Sequence, residues 1–382
     1  KLARALTERM ERDPGNEHLR RQMLRVYRAD IKTVDAFCTA LLRENCHLLG
    51  EDARGHTLRP DFRVLDENDA QALRERVLAR TLDDFYDRLT PGGALLADTL
   101  GAGRDDSALE ALVLELHAKL QAQPYEDKWL DAQRTLWSEV PDRIEKTPYG
   151  RILLDEVRRK ARHWQRLMQT AAQEMTQNDA LNQKYAPAFL DVSYQLEALT
   201  AKADEGWDAA RGVSIAFPRL APVKDSDGGK LKMRMKALWD GCKAAVKGFG
   251  ELLNASSGEA AEDLRTMAPA MLALIDLTAE FSRRYNEEKR RRNAADFSDQ
   301  EHEAIRLLIG EDGTPTELAR TVSTRYREIM VDEYQDTNEV QNRIFDAISC
   351  KGENLFTVGD VKQSIYRFRL ADPRIFLQHY NT

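Results

Sequence analysis

Two short apolar runs near the end of the 382-residue chain decide the fold, and acidic residues follow each of them. They read Ile329-Met330-Val331-Asp332-Glu333 and Leu355-Phe356-Thr357-Val358-Gly359-Asp360. Between them, Asn338 is predicted to begin a helix with one apolar face, formed by Val340, Ile344, Phe345 and Ile348. A strand, a helix and a strand within about thirty residues have the size of a βαβ unit, which requires parallel strands.

The carboxylates that follow both strands are candidates for a nucleotide site. Ligands of parallel α/β sheets bind beyond the carboxyl ends of the strands, so Asp332, Glu333 and Asp360 should share one crevice. A carboxylate at the position of Asp332 can hold Mg²⁺ through water beside nucleotide phosphates. The adjacent Glu333 can orient and deprotonate an attacking water. The alternative for an isolated Asp-Glu pair is that acidic residues end strands because they are soluble there.

The segment after the second strand combines amide, aromatic and basic side chains. It reads Gly359-Asp360-Val361-Lys362-Gln363-Ser364-Ile365-Tyr366-Arg367-Phe368-Arg369. Gln363 is a neutral group that can sense a terminal phosphate. Two aromatic residues, Tyr366 and Phe368, alternate here with arginines, a mixture that stacks on unpaired bases and grips phosphates. Taken alone, the two aromatic residues would more often belong to a core.

The rest of the chain is predicted to be helical, which gives a mostly α protein with an α/β part. Residues 1–50 are helical and basic at the start, residues 51–293 form an irregular series of helices divided by proline and glycine, and residues 294–382 carry the two strands. A capping box of Ser107 and Glu110 is predicted to begin one of the middle helices. No repeat of fixed period is present, which argues against a solenoid.

Composition excludes several classes of protein. The chain is 42% hydrophobic and 32% charged, and no run approaches 18 apolar residues, which rules out a membrane-spanning helix. The net charge of −7 gives no overall basic footprint, so any contact with nucleic acid must be local. The four scattered cysteines contain no Cys-x-x-Cys pair, which argues against zinc and disulfides and for a reducing cytoplasm. The seven histidines show no metal-ligand pattern.

Taken together, the two C-terminal segments resemble motifs II and III of superfamily 1 DNA helicases of the UvrD/Rep type. Those motifs read Asp-Glu-x-Gln-Asp-Thr and Gly-Asp-x-x-Gln-Ser-Ile-Tyr-x-aromatic-Arg. Two further segments resemble the RecB and AddA branch of this family. Thr33-Val34-Asp35-Ala36-Phe37-Cys38 is similar to its Thr-Ile-His-Ser-Phe-Cys segment, and residues 281–299 are similar to its returning helix and Asp-Phe-Ser-Asp signature.

This resemblance implies a fold and a set of partners. The fold would be a partial RecA-like (P-loop NTPase) parallel sheet, formed by residues 1–50 and 294–382 and interrupted by an all-helical insertion at residues 51–293. The activity would be that of an AddA-type helicase–nuclease subunit in bacterial double-strand-break repair and recombination. Its cofactors would be ATP and Mg²⁺. Its partners would be single-stranded and duplex DNA ends and a second, AddB-like subunit, with no membrane.

The resemblance also implies a role for each matching residue. Asp332 would hold Mg²⁺, Glu333 would be the catalytic base for ATP hydrolysis, and Gln363 would report on the γ-phosphate. Gln335 would link the nucleotide site to neighbouring motifs, and Arg369 would couple it to the DNA site. The residues implied on the DNA path are Thr33, Phe37, Tyr366, Arg367 and Phe368.

The sequence departs from the family pattern in two respects. Asp35 and Ala36 replace the commoner His and Ser, and the carboxylate of Asp35 would repel a DNA backbone. No Gly-x-x-x-x-Gly-Lys-[Ser/Thr] loop is present. We therefore expect a fragment that lacks this loop, the second RecA-like domain and the nuclease, and that does not hydrolyse ATP alone.

Two other functions stay open at this point. A helicase-derived scaffold that binds DNA or a partner protein would explain the missing loop, but it has no need of Glu333 or Gln363. A metal nuclease that uses Asp332, Asp336 and Asp360 requires carboxylates that converge on a metal pair. The basic clusters at residues 230–236 and 289–292 are interpreted as solvated faces rather than DNA contacts.

Overall fold

The structure, a computed structural model, describes residues 2–27, 29–51, 55–100, 106–349, 352–363 and 373–381. These residues are mostly helical, as the periodicity predicted. The helices of the first half are α1 (Leu2–Arg12), α2 (Glu17–Val26), α3 (Val34–Asn45), α4 (Glu67–Asp87), α5 (Pro91–Leu100), α6 (Ser107–Gln121), α7 (Glu126–Ser138) and α8 (Pro148–Met175). Those that follow are α9 (Asp179–Lys184), α10 (Ala186–Glu205), α11 (Trp207–Arg211), α12 (Asp225–Leu252), α13 (Ser257–Arg291), α14 (Phe297–Leu308), α15 (Glu317–Arg325), α16 (Glu339–Ile348) and α17 (Pro373–Asn381).

Among the described residues, four short strands pair in two parallel ladders. The strands are β1 (Arg63–Val64), β2 (Ala294–Ala295), β3 (Ile329–Val331) and β4 (Leu355–Thr357). β1 pairs with β2, and β3 pairs with β4 so that Ile329 lies opposite Leu355 and Val331 opposite Thr357. The predicted parallel pair β3–β4 is therefore confirmed. The pair β1–β2 was not predicted, because strands of two residues show no alternation in a sequence.

Helix α16, which connects β3 to β4, forms as its sequence predicts. Asn338 occupies the N-cap position, and its side-chain oxygen accepts a hydrogen bond of 2.8 Å from the Gln341 backbone N–H. This bond satisfies one of the free N–H groups at the helix start. The predicted apolar face is buried, with residues Val340, Ile344, Phe345 and Ile348.

The chain divides into two compact units. The first contains Lys1–Arg88, Arg104–Leu130 and Asp276–Thr382, and the second contains Leu89–Gly103 and Asp131–Ile275. Within the first unit, α14 packs against α3 and α16 around a core that includes Cys38, Leu42, Ala304, Val340 and Ile344. Within the second, α8 and α10 form the main helix pair, around a core that includes Val157, Met168, Phe189 and Leu196. The division into residues 1–50, 51–293 and 294–382 stays a prediction.

The predicted helix start at Ser107 is confirmed, but the residue predicted to cap this helix is not its N-cap. Helix α6 begins at Ser107, but Asp106 occupies its N-cap position and the Asp106 side chain makes no capping hydrogen bond. A capping box forms instead at α14, where Asp296 and Asp299 each accept a hydrogen bond from the other's backbone N–H. Within the described part of the chain, no helix has the length and apolar character that crossing a membrane requires.

Candidate functional site

The carboxyl end of β3 presents two exposed carboxylates. Asp332 follows the strand, and its Oδ1 accepts a hydrogen bond of 3.0 Å from the Glu333 backbone N–H. Glu333 has φ 54° and ψ 38°, which lies in the left-handed region. A residue with a Cβ rarely adopts this conformation, and such strain is found most often at functional sites. The backbone at Glu333 is thus turned sharply where the sequence predicts a catalytic carboxylate.

Gln335 joins the two strand ends. Its side chain is 1% exposed; Nε2 donates to Glu333 Oε2 at 2.6 Å, and Oε1 accepts from the Asp360 backbone N–H at 2.9 Å. Gly359 makes this approach possible, because a Cβ at that position would collide with Gln335 Oε1 and lie 3.1 Å from the Gln335 backbone nitrogen. The amide of Gln335 therefore connects the segment after β3 with the segment after β4.

The same hydrogen-bonded chain continues to Gln363. Gln363 lies in the 3₁₀ turn Val361–Gln363, and its Nε2 donates to Asp360 Oδ2 at 3.0 Å. The Lys362 backbone N–H donates to Asp360 Oδ1, also at 3.0 Å. The bond from Gln363 and then that from Lys362 lower the pKa of Asp360 below its ordinary value, so this carboxyl is charged at neutral pH. We call Asp332, Glu333, Gln335, Asp360 and Gln363 the strand-end cluster.

Asp336 adds a further carboxylate beside Glu333. Its Oδ1 is buried and has no hydrogen-bond partner among the described residues. Burial and then the charge of Glu333 raise the pKa of Asp336. The loop therefore holds more negative charge than its own donors neutralise, and a cation placed there would relieve this repulsion.

The carboxylates of this loop are suited to Mg²⁺, which water and phosphates also coordinate, rather than to a metal ion that protein side chains alone coordinate. Among the described residues, no three His, Cys, Asp or Glu side chains are grouped to hold a metal. Mg²⁺ is typically bound through one or two carboxylates together with water and substrate phosphates, and an exposed Asp332 matches that pattern. The nuclease interpretation, which needs converging carboxylates, gains no support from the described residues.

The residues predicted on the DNA path are described only in part. Thr33 is the N-cap of α3, where its Oγ1 accepts a hydrogen bond of 3.2 Å from the Ala36 N–H. Thr33 and Ala36 are exposed, whereas Phe37 is half-buried and packs against the core of the first unit. Four predicted residues lie outside the described residues, namely Tyr366, Arg367, Phe368 and Arg369.

The interpretation of residues 289–292 as a solvated face is wrong for Lys289 and Arg290. Lys289 is 1% exposed, and its Nζ donates to Asp296 Oδ2 at 2.8 Å and to Asp299 Oδ1 at 2.6 Å. Arg290 forms an ion pair with Glu303, and both side chains are 13% exposed. Lys289 follows the buried residues Phe281 and Tyr285 at intervals of four, so it shares their face of α13. That spacing is the sequence signal that was missed.

The other basic cluster is mostly a solvated face, as predicted. In residues 230–236, Lys230, Arg234 and Lys236 are exposed, whereas Met235 is buried. Lys232 is half-buried, and its Nζ donates to the Val223 carbonyl at 2.6 Å.

His117, which the sequence left without a role, is buried beside Lys289. Neither ring nitrogen has a hydrogen-bond partner among the described residues, and the ring lies edge-on to Phe281 and Tyr285 with centroids 5.0 and 5.8 Å away. Burial and then the charge of Lys289 lower the pKa of His117 to about 3, so the imidazole is neutral. His117 follows the buried residues Leu109 and Val113 at intervals of four on α6, and that spacing is the sequence signal for its burial.

Comparison with known proteins gives one family. A family model described as the UvrD/REP helicase N-terminal domain matches residues 1–382. Curated relatives that are named as ATP-dependent helicase/nuclease subunits include one from Acetivibrio thermocellus, which is 32% identical over 100% of this chain. Others come from Staphylococcus carnosus, 32% identical over 97%, and Desulfitobacterium hafniense, 34% identical over 95%. The chain spans 31%, 30% and 27% of the lengths of these three relatives.

Proposed function

Because this chain belongs to the UvrD/REP helicase N-terminal domain family, we propose that it forms the motif II and motif III part of an ATP-dependent DNA helicase–nuclease. The whole protein would act on broken DNA ends in repair and recombination. The relatives' name, which describes one subunit of an ATP-dependent helicase/nuclease, supports ATP as the fuel and implies a partner protein. That partner would be the second subunit of the same complex, an AddB-like protein.

The observation that carries this proposal is the continuous hydrogen-bonded chain through the strand-end cluster. Glu333, Gln335, Asp360 and Gln363 are joined by bonds of 2.6, 2.9 and 3.0 Å, although Glu333 and Gln363 are thirty residues apart. A scaffold that only binds DNA would gain nothing from such an arrangement of carboxylates and amides. An NTPase needs it, because positioning and electrostatics provide most of the catalysis of phosphoryl transfer.

Each side chain of the cluster has a distinct task in this proposal. Glu333 orients the attacking water and takes its proton. Gln335 fixes the Glu333 carboxylate through the 2.6 Å hydrogen bond and thereby keeps one oxygen directed away from the water. Gln363, held by Asp360, is available to contact the terminal phosphate. Arg369, which follows six residues later, would connect this site with DNA.

Asp332 would hold Mg²⁺, which when bound neutralises phosphate charge. The exposed position of Asp332 and the buried Oδ1 of Asp336, which has no hydrogen-bond partner among the described residues, support this assignment. The sequence contains no phosphate-binding loop of the Gly-x-x-x-x-Gly-Lys-[Ser/Thr] type, so this chain alone should not turn over ATP. Residues of the whole protein would complete the site.

The DNA path in this proposal runs along the start of α3 and the segment after Gln363. Thr33 and Phe37 would meet the strand on α3, and Tyr366, Arg367 and Phe368 would meet it after β4. The exposure of Thr33 supports the first contact. Asp35 lies in the first turn of the same helix, and its carboxylate disfavours a phosphate at that point, so base stacking on Phe37 is the expected interaction.

The proposal is tested with the full-length protein that contains this chain. ATP hydrolysis is measured with and without single-stranded DNA for the wild type and for Glu333→Gln. Loss of a general base typically costs about 10²–10⁴-fold, so the variant should lose turnover and retain ATP binding. Glu353→Gln, an exposed substitution outside the cluster, serves as the control and should leave turnover unchanged.

Two results would contradict this proposal. Normal turnover in Glu333→Gln would remove the assigned base. A wild-type full-length protein that binds DNA but never hydrolyses ATP would instead favour the scaffold alternative.

A further inference from the structure

The first turn of α14 contacts four different parts of the first unit. Four consecutive residues make these contacts, namely Asp299, Gln300, Glu301 and His302. Consecutive helical residues point about 100° apart, so a turn with partners on every side must lie inside the surrounding structure. Asp299 binds Lys289 of α13, and His302 binds the Gln123 carbonyl between α6 and α7. The two residues between them face the two segments that the proposed function uses.

Gln300 faces α3. Its side chain is 0% exposed, and the Thr39 hydroxyl, whose one hydrogen is shared with the Asp35 carbonyl at 2.8 Å, forms a hydrogen bond with Gln300 Oε1. Gln300 Nε2 donates to the Asp296 carbonyl at 3.3 Å, which fixes the orientation of the amide. Thr39 lies two residues after Phe37, on the helix that Thr33 caps. The polar contact is surrounded by apolar packing between α3 and α14.

Glu301 faces α16. It is 7% exposed, and its Oε1 accepts a hydrogen bond of 2.6 Å from Gln341 Nε2; the Asn338 side chain is a further hydrogen-bond donor to this carboxylate. Asn338 is the N-cap of α16 and follows the carboxylate-bearing loop after β3. A second bond, of 2.5 Å, joins Tyr334 Oη of that loop to Asn342 Oδ1 of α16. The start of α16 is therefore tied to both Glu301 and the loop.

Neighbouring residues on one helix turn cannot be displaced independently, because the backbone between them is fixed by the helix hydrogen bonds. A shift of the loop after β3 would move Asn338 and Gln341, then Glu301, then Gln300 and Thr39. Buried polar contacts of this kind have a defined geometry, and leaving either partner unsatisfied costs free energy. The contact chain from the loop to α3 is thus continuous within the first unit.

We propose that Gln300 and Glu301 are positioning residues that couple nucleotide binding at the strand-end cluster to DNA binding at α3. This inference rests on the proposed function, which gives the two segments their roles. Neither residue touches substrate in it. Their effect is on how strongly one ligand changes the affinity for the other, which is a coupling free energy.

The test uses paired substitutions in the full-length protein. Thr39→Val and Glu301→Ala remove one side of each contact, whereas Thr39→Ser and Glu301→Gln keep a hydroxyl donor and an oxygen acceptor. His302→Gln, on the same turn but facing the Gln123 carbonyl, is the control. Two quantities are measured: the stimulation of ATP hydrolysis by single-stranded DNA, and the change in DNA affinity caused by a non-hydrolysable ATP analogue.

We expect Thr39→Val and Glu301→Ala to reduce both quantities by about threefold to tenfold, the range typical of substitutions along a coupled network. The conservative variants and His302→Gln should stay near the wild type. Hydrolysis without DNA should remain within about twofold in every variant, since none of these residues belongs to the strand-end cluster. If Glu301→Ala does not fold, Thr39→Val, which replaces a hydroxyl with a methyl group of similar size, carries the test.

Three outcomes would overturn the inference. Unchanged coupling in Thr39→Val would show that the contact transmits nothing. Equal loss of basal and stimulated hydrolysis would show a general structural role. A wild-type protein that hydrolyses no ATP, or whose hydrolysis ignores DNA, would remove the proposed function as well, and this result differs from the first two because it appears without any substitution.

Discussion

The ammonium group of Lys289 is a fully buried cation shared between the carboxylates of Asp296 and Asp299. Burial alone would lower the pKa of this lysine, but the two carboxylates outweigh burial and raise it. The Tyr285 hydroxyl donates to the same Asp296 oxygen at 3.0 Å. A basic residue that reads as a surface charge in the sequence thus holds the end of α13 against the start of α14.

Replacing Lys289 by Met should destabilise the chain strongly. The substitution leaves the buried carboxylate of Asp296 and the partly buried carboxylate of Asp299 without their cation, and breaking a buried ion pair in this way typically costs about 3–5 kcal/mol. Arg291→Met is the matched control, because its side chain is 60% exposed and pairs with Glu288 on the same helix. An exposed pair contributes about 0–1 kcal/mol. Urea unfolding of the wild type and both variants measures the difference, and equal stabilities for the two variants would contradict this account.

At the scale of elements, the loops after β3 and β4 meet where the Gln335 side chain approaches Gly359 closely. In the structure the positive-φ residue of this region is Glu333, and Gly359 is needed because Gln335 lies against its Cα. The missing Cβ of Gly359 and the left-handed backbone of Glu333 therefore both contribute to the contact between Gln335 and the segment after β4.

Gly359→Ala should break that contact. The added Cβ would displace the Gln335 amide, so the hydrogen bond from the Asp360 N–H would be lost and Glu333 would lose its anchor. Overpacking of this kind costs about 1–3 kcal/mol, and we expect ATP hydrolysis by the full-length protein to fall with the melting temperature. Gly248→Ala is the control, because nothing lies within 4 Å of its Cβ position on α12. A Gly359→Ala protein with normal turnover would show that the contact is dispensable.

At the scale of the whole molecule, the net charge of −7 limits how DNA can be held. An acidic protein gains no general attraction for a polyanion, so affinity must come from stacking and from a few local cations. Several basic side chains near the end of α13 form ion pairs with carboxylates of this chain, namely Lys289, Arg290 and Arg291. The proposed DNA contacts accordingly combine Phe37 of α3 with Arg367 after β4.

The dependence of DNA affinity on salt concentration distinguishes a stacking contact at Phe37 from a phosphate contact at Arg367. Phe37→Leu keeps an apolar side chain against the core but removes the ring, so binding of single-stranded DNA by the full-length protein should weaken by about 1–3 kcal/mol with an unchanged salt slope. Arg367→Ala should reduce the slope of log K against log salt by about 0.7 for one lost phosphate contact. Lys230→Ala, at an exposed site on α12, should change neither. Identical slopes for wild type and Arg367→Ala would contradict the phosphate contact.

The sequence by itself determined the parts of this protein that depend on nearby residues. β3 and β4 follow from short apolar runs that end in carboxylates, and α16 follows from its apolar periodicity and its capping asparagine. All of these signals act within a few residues. The segments that resemble helicase motifs II and III lie in and directly after the same stretch, and the family match confirms the resemblance. The roles of Asp332, Glu333 and Gln363 remain predictions that this resemblance supports.

Only the tertiary structure decided which polar groups are buried and which partners they meet. Gln335 reaches Asp360 across 25 positions, and Gln300 reaches Thr39 across 261. In the sequence, the positive charge of Lys289 indicates an exposed side chain. The carboxylates of Asp296 and Asp299, which offset the cost of burying that charge, become its neighbours only after α13 and α14 pack. A periodic pattern can indicate which face of a helix is buried, but the partners that a buried polar group meets depend on packing between segments, so a linear pattern of residues cannot specify them.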